Sequence, residues 1–179
     1  GIVLSGTGTD GTIGVEEVKG GLGMTIAQDP QESEYPGMPQ SAIDSGYVDH
    51  VLRVDEMVPV LDQYARNVAK RGARDSVSDR DRVQLNKILS VVRAQTGHDF
   101  ATYKTSTMFR RITRRLNVQQ IDSFSDYLAF LKQNPREVDT LFNELLIGVT
   151  SFFRDREAFD SLRDEALPTM FGERDVKEI

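Results

Sequence analysis

The sequence predicts two unlike pieces on one chain, an α/β segment followed by an all-α segment, and three observations carry that prediction. Ten of the fourteen glycines fall within the first 46 residues, as expected where tight loops join strands to helices. Before residue 70 short strand-like apolar runs alternate with helical patterns, whereas beyond residue 82 only the helical period appears. Between them, residues 69–81 read Ala-Lys-Arg-Gly-Ala-Arg-Asp-Ser-Val-Ser-Asp-Arg-Asp, with almost no apolar content. That composition predicts a solvated linker and a domain boundary.

The elements follow in order. Residues 1–5 form a short apolar run closed by Gly6, a buried strand. The loop Gly6-Thr7-Gly8-Thr9-Asp10-Gly11-Thr12 leads into a helical pattern through Ile13, Val15, Val18 and Leu22, and residues 24–28 form a second strand that Asp29-Pro30 stops. A one-to-two-turn helix over 39–45 ends at Gly46, well placed as a C′ residue. Residues 47–54 alternate as a third strand, and Asp55 is the expected cap of a helix over 57–68. The order β-α-β-α-β-α implies parallel strands with right-handed crossovers, part of a doubly wound, Rossmann-like sheet. A parallel first strand also needs neighbours, so the chain reads as an excerpt from a longer protein. Beyond the linker, helices are expected over 83–94, 107–118, 123–132, 136–147 and 157–170, with Pro135 in the first turn of the fourth. Short connections make this half a small antiparallel helical bundle.

Composition narrows the chemistry. With no cysteine, thiol catalysis, disulfides, iron–sulfur ligation and Cys-ligated zinc are excluded, and His50 and His98 are too few for a multi-histidine metal site. No apolar run approaches the length of a membrane span and nothing resembles a secretory leader, which predicts a soluble, cytoplasmic protein. The net charge of −6 conceals three blocks: residues 1–69 hold eleven acids and three bases, 70–121 four acids and twelve bases, and 122–179 thirteen acids and seven bases.

Three places could carry chemistry. Asp10 stands in a glycine-flanked loop between a strand and a helix, where open α/β sheets place their active sites; it suits orienting a histidine, and the loop amides suit an oxyanion or phosphate. The same residues would also serve a plain turn. The second is the run Met108-Phe109-Arg110-Arg111-Ile112-Thr113-Arg114-Arg115-Leu116. At about 100° per residue its four arginines fall within an arc of about 140°, opposite Met108, Phe109, Ile112 and Leu116. A wholly cationic face suits an acidic protein helix or a nucleic acid, and the flanking acidic blocks favour the protein. The third is Gly148-Val149-Thr150-Ser151-Phe152-Phe153-Arg154-Asp155, where Arg154 could hold a carboxylate beside a Thr150 or Ser151 hydroxyl, or where the aromatics merely pack and Asp155 caps the next helix.

At these residues the chain resembles known families. The run Ile2-Val3-Leu4-Ser5-Gly6-Thr7-Gly8-Thr9-Asp10-Gly11-Thr12, with Ala27-Gln28-Asp29-Pro30 and Glu34-Tyr35-Pro36-Gly37-Met38-Pro39, resembles the C-terminal part of the chemotaxis receptor methylesterase (CheB) catalytic domain. Tyr103-Lys104, the arginine-rich helix, Tyr127-Leu128 and residues 145–155 resemble the helical N-terminal domain of the receptor methyltransferase (CheR). The resemblance implies residues 1–68 as part of a methylesterase domain, 69–81 as linker, 82–171 as the methyltransferase helical domain and 172–179 as the start of a domain binding S-adenosylmethionine. It implies hydrolysis of glutamate methyl esters on chemoreceptors, with Asp10 as triad acid and the Thr7 N–H in the oxyanion hole. It also implies methylation of receptor glutamates by S-adenosylmethionine, with Thr150 and Arg154 reaching the cofactor. Arg110, Arg111, Arg114 and Arg115 would face the cytoplasmic helices of methyl-accepting chemotaxis proteins. The esterase serine and histidine and the glycine-rich cofactor loop are expected outside this chain, which leaves neither active site complete. Two other readings stay open: a non-catalytic receptor-binding module, and a kinase-like nucleotide site, since Thr9-Asp10-Gly11-Thr12 is similar in part to the Gly-Gly-Asp-Gly-Thr loop of NAD and lipid kinases.

Overall fold

A computed structural model describes residues 1–71 and 78–146. The first part contains β1 (Ile2–Val3), α1 (Thr12–Gly20), β2 (Ile26–Gln28), α2 (Gly37–Asp44), β3 (His50–Leu52) and α3 (Val54–Arg71). The strands form a parallel sheet in the order β1-β2-β3, with Ile2 opposite Ile26 and Ile26 opposite His50. The three expected strands are therefore present in shortened form. β2 is central and buried at every residue, as a parallel strand covered on both faces should be.

Local chemistry sets the helix ends. Gly46 takes a φ of 75° just beyond α2 and donates its N–H to the Ile43 carbonyl, as its C′ placement predicts. Asp55 is not the cap of α3. That helix starts one residue earlier, and Glu56 reaches back to accept the Arg53 N–H at 3.0 Å, which is the carboxylate half of a capping box. Asp55 and Glu56 both lie in the first turn, where negative charge suits the helix dipole.

The second part holds α4 (Asp79–Thr96), α5 (Thr105–Val118), α6 (Phe124–Gln133) and α7 (Pro135–Leu146). Ser78 and Ser123 cap α4 and α6 by accepting the N–H groups of Asp81 and Asp126, each at 3.1 Å. Pro135 opens α7, as expected. Both helices flanking the predicted linker run into it: Ala69–Arg71 belong to α3 and Asp79–Asp81 to α4. The expected helix over 157–170 lies outside the described residues.

The α4–α7 core consists of Leu85, Ile88, Val92, Phe100, Met108, Ile112, Tyr127, Leu131, Val138, Leu141 and their neighbours. The apolar stripe foreseen for 83–94 supplies three of them. His98 sits among Phe100, Tyr103 and Phe142 with Nε2 3.2 Å from the Tyr103 hydroxyl. It is a half-buried, hydrogen-bonded histidine at the edge of that core. Residues 1–146 form one compact unit, so the α/β part and the helices pack together. The expected boundary near residue 70 is a break in composition and secondary structure within that unit.

Two glycines test how tightly the first part is built. A methyl at Gly37 would stand 3.1 Å from the Gly8 nitrogen and 3.3 Å from the Gly6 oxygen, whereas at Gly14, within α1, it would meet nothing. Gly37→Ala is therefore expected to destabilise the chain by about 1–3 kcal/mol, and Gly14→Ala to stabilise it by about 0.4–1 kcal/mol. Urea unfolding of the two variants reads both signs.

Candidate functional site

The loop bearing Asp10 follows β1 and leads into α1, as expected for a strand-to-helix loop of an open sheet. Gly6 donates its N–H to the Tyr35 carbonyl and accepts the N–H of Met38, which ties the loop to the start of α2. Ser5 accepts the Tyr35 N–H at 2.9 Å, and the Thr12 and Ser41 hydroxyls lie 2.8 Å apart. Gly11, at a φ of 89°, precedes α1 at a point where a Cβ would meet Val3 at 3.1 Å. These constraints hold Asp10 at the surface, where its Oδ1 accepts the Gly11 N–H at 2.9 Å. The Thr7 N–H takes no acceptor among the described residues. No histidine faces Asp10: His50 lies on β3 against Asp49, Arg115 and the backbone of Val118, and burial lowers its pKa below 6.5.

The arginine-rich helix departs from expectation. Met108, Phe109, Ile112 and Leu116 are buried as foreseen. The opposite face is not open to solvent: Arg111, Arg114 and Arg115 are only 7, 2 and 3% exposed, and Arg110 alone of the four is exposed. For Arg114 and Arg115 the reason is that acids from distant parts of the chain cover them. Arg115 donates Nε and Nη2 to the two oxygens of Glu137 at 2.9 and 2.8 Å, a fork-to-fork pair. Glu137 also accepts from Gln119 Nε2 at 2.8 Å and the Tyr127 hydroxyl at 2.7 Å. Arg114 gives Nη1 to Glu144 at 2.7 Å, Nε and Nη2 to the Gly23 carbonyl at 3.0 and 2.7 Å, and a further bond from Nη2 to Asp49.

Asp49, just before β3, is the hub from the α/β side, with a side chain 0% exposed. It also meets Lys19 Nζ at 3.2 Å and Arg115 Nη1 at 3.4 Å, and accepts the Thr25 N–H and hydroxyl at 3.0 Å. Lys19, Arg114 and Arg115 balance Asp49, Glu137 and Glu144. Buried charges persist only when paired and hydrogen-bonded in this way. Arg111 is less complete, with Nη1 buried and without a hydrogen-bond partner.

The electrostatics follow from this geometry. Burial pushes the Asp49 carboxyl up, but Arg114 and Lys19, with hydrogen bonds from Arg114 and Thr25, hold it below 3.8. For Glu144 burial wins over the same arginines, and its carboxyl is raised above 4.5. Their linkage to stability has opposite signs. The Asp49 contribution is present above 3.8 and lost as pH falls through its lower folded value; the cost of ionising Glu144 is carried at higher pH and relieved first on acidification. Burial, reinforced by Glu137, raises Tyr127 well above 10.0.

Sequence reasoning missed Asp49, Glu137, Glu144 and Lys19, since their partners lie far away along the chain. The acidic excess of the flanking blocks was the available signal. Thr150 and Arg154 lie outside the described residues, as does Asp155. No helix among the described residues is long and apolar enough to cross a membrane, and none of them form a group of metal-ligating side chains.

A parallel α/β segment with a carboxylate-bearing loop, joined to a helical segment built around an arginine-rich helix, defines a two-part protein of α/β and all-α pieces. Residues 1–61 match the family model described as CheB methylesterase, and residues 84–146 match that described as CheR methyltransferase, all-alpha domain. The two matches follow one another along the chain, a CheB-type segment and then a CheR-type segment. It is 34% identical over 197 residues to an uncharacterized 104.1 kDa protein of Rhodobacter capsulatus, an alignment covering 98% of this chain and 21% of that protein. A protein-glutamate methylesterase/protein-glutamine glutaminase of Pyrococcus horikoshii is 44% identical over 57 residues, 32% of this chain and 16% of the relative. Chemotaxis protein methyltransferase 2 of Pseudomonas aeruginosa is 35% identical over 71 residues, 40% of this chain and 25% of the relative. The chain therefore spans a quarter or less of the length of each. No solved structure matches it.

Removing the Glu137 carboxylate would leave the buried Arg115 Nε and Nη2 and the buried Tyr127 hydroxyl, together with the half-buried Gln119 amide, without the acceptor they share. Glu137→Ala is expected to cost about 3–5 kcal/mol, the usual penalty for breaking a buried ion pair from one side. A urea midpoint close to that of the parent chain would refute this weight for the pair.

Proposed function

We propose that this chain is the junction of a bifunctional chemoreceptor-modifying enzyme, joining a receptor methylesterase to an S-adenosylmethionine-dependent methyltransferase that acts on receptor glutamates. The observation that carries the reading is the succession of the two family matches on one chain, at residues 1–61 and 84–146. Similarity to the long Rhodobacter capsulatus protein through both segments supports the same arrangement in a larger parent.

In this reading Asp10 is the acid of a Ser-His-Asp triad, holding the histidine in the tautomer that accepts the serine proton. Its surface position in a loop closed by Gly11 leaves the carboxylate's second oxygen available to an imidazole. The Thr7 N–H donates to the oxyanion that develops when the ester carbonyl is attacked. The serine and histidine belong to other parts of the parent protein. The exposed apolar residues Ile2 and Leu4 suit a sheet that continues past β1. Use of S-adenosylmethionine enters through the methyltransferase relatives, with Thr150 and Arg154 as the assigned residues.

The basic helix is the receptor-facing element. Arg110 meets the acidic receptor helices directly, and Arg111, Arg114 and Arg115 belong to the same face. A non-catalytic docking role for the isolated chain needs no chemistry and would begin at Arg110, the exposed member of the four.

Two measurements test the reading. Triad members act as a unit, so the chain alone is expected to release no methanol from methylated receptor; release above buffer that Asp10→Ala abolishes would refute the incomplete-site assignment. An acidic receptor-derived helical peptide is expected to bind with an affinity that drops as salt rises, because surface charges are screened beyond about 10 Å at 0.1 M. Binding indifferent to salt, or unchanged by Arg110→Glu, would rule out an electrostatic dock.

A further inference from the structure

The arginine face of α5 already has an occupant. Asp49 reaches Arg114 and Arg115 from the α/β segment, and Arg114 also takes the Gly23 carbonyl from the turn before β2. The end of α3 holds the last turn of the same helix and the residues just after it: Lys70 pairs with Asp122 at 3.1 Å, and Arg71 donates to Asn117 and to the Ile121 carbonyl. The apolar share is small. Of the α5 side chains, only Val118 joins the buried cluster of Met24, Ile26 and Met57. The two segments are thus joined largely by charge and hydrogen bonds, which water and a competing ion can replace, and only slightly by apolar burial, which they cannot.

The charges also allow separation. Lys19 and Asp49 remain a balanced pair on the α/β side. Arg114 and Arg115 remain matched by Glu137 and Glu144 on the helical side. Parting the segments therefore strands no net charge within that network. It does uncover a helix face with four arginines against two glutamates, since Arg110 is exposed and Arg111 keeps an unpartnered Nη1. That uncovered face carries a net positive charge and suits a helix rich in carboxylates.

We propose that the methylesterase segment masks the arginine face in cis, with Asp49 occupying the place of an acidic partner's carboxylate, so that an acidic helical partner engages Arg114 and Arg115 only when the two segments part. The proposal rests on the reading of α5 as the partner-facing helix and adds a regulation that this reading does not contain. Docking of the partner and closure of the two segments become mutually exclusive. The apparent affinity of the partner is then reduced by the fraction of molecules that are open.

The experiment uses the whole chain, an acidic helical peptide followed by fluorescence anisotropy, and amide hydrogen exchange as a separate report on closure. Asp49→Asn keeps the side chain's shape and removes its charge. It is expected to speed exchange at α5 and to tighten peptide binding by about tenfold, within the range usual for coupled sites. In the unmodified chain the peptide itself should speed exchange across β3. Met57→Ala, which loosens the apolar contact with Val118 from the α/β side, should act in the same direction and replaces Asp49→Asn if that variant does not fold. Equal affinity for the peptide in open and closed forms would overturn the masking while leaving the partner reading intact. An opened variant that still binds no peptide would overturn both.

Discussion

The meeting of Asp49 with Arg114 and Arg115 is the interaction on which the arrangement of this chain depends. It joins residues 65 and 66 positions apart, across a change from α/β to all-α structure. Without it the α/β part would touch the helices through the Arg114 bonds to the Gly23 carbonyl, the Val118 cluster and the polar contacts at the end of α3. With it, α5 becomes a helix buried on nearly every side, and residues 1–146 form one compact unit.

Such a network is a poor source of net stability, because three buried cations and three buried anions must all give up water. What it supplies is specificity. Glu137 is satisfied by Arg115, Gln119 and Tyr127 together, which sets the rotation of α5 against α6 and α7. Asp49 is satisfied by Thr25, Lys19 and the two arginines, which sets how the sheet meets α5. Glu144, raised in pKa and with Oε1 lacking a hydrogen-bond partner, is the less satisfied member.

The family matches give this contact its meaning. The matches to a CheB methylesterase and to a CheR all-alpha domain follow one another on the chain, and the arginine-rich helix of the second is the one that the α/β segment covers. The Asp10 loop, by contrast, stands clear of the interface: its contacts run to Tyr35, Met38 and Ser41 within the α/β segment. The Asp10 loop and the arginine-rich helix are therefore held by separate sets of contacts.

Much of the fold was legible in the amino-acid order. The strands, the loop bearing Asp10, the helix end at Gly46, the helix start at Pro135 and the stripe Met108, Phe109, Ile112 and Leu116 are local patterns of spacing and backbone preference, and each is found where it was expected. The two families were legible too, through the runs around Asp10 and Arg110–Arg115. What the sequence by itself could not decide was the environment of the arginines. Helical periodicity groups Arg110, Arg111, Arg114 and Arg115 on one face and implies solvent there, because nothing within a few residues neutralises them. Their partners, Asp49, Glu137 and Glu144, arrive from other elements, so only the tertiary structure determines that three of the four are buried. Periodicity reports which residues share a face; what covers that face is set by packing between elements far apart along the chain.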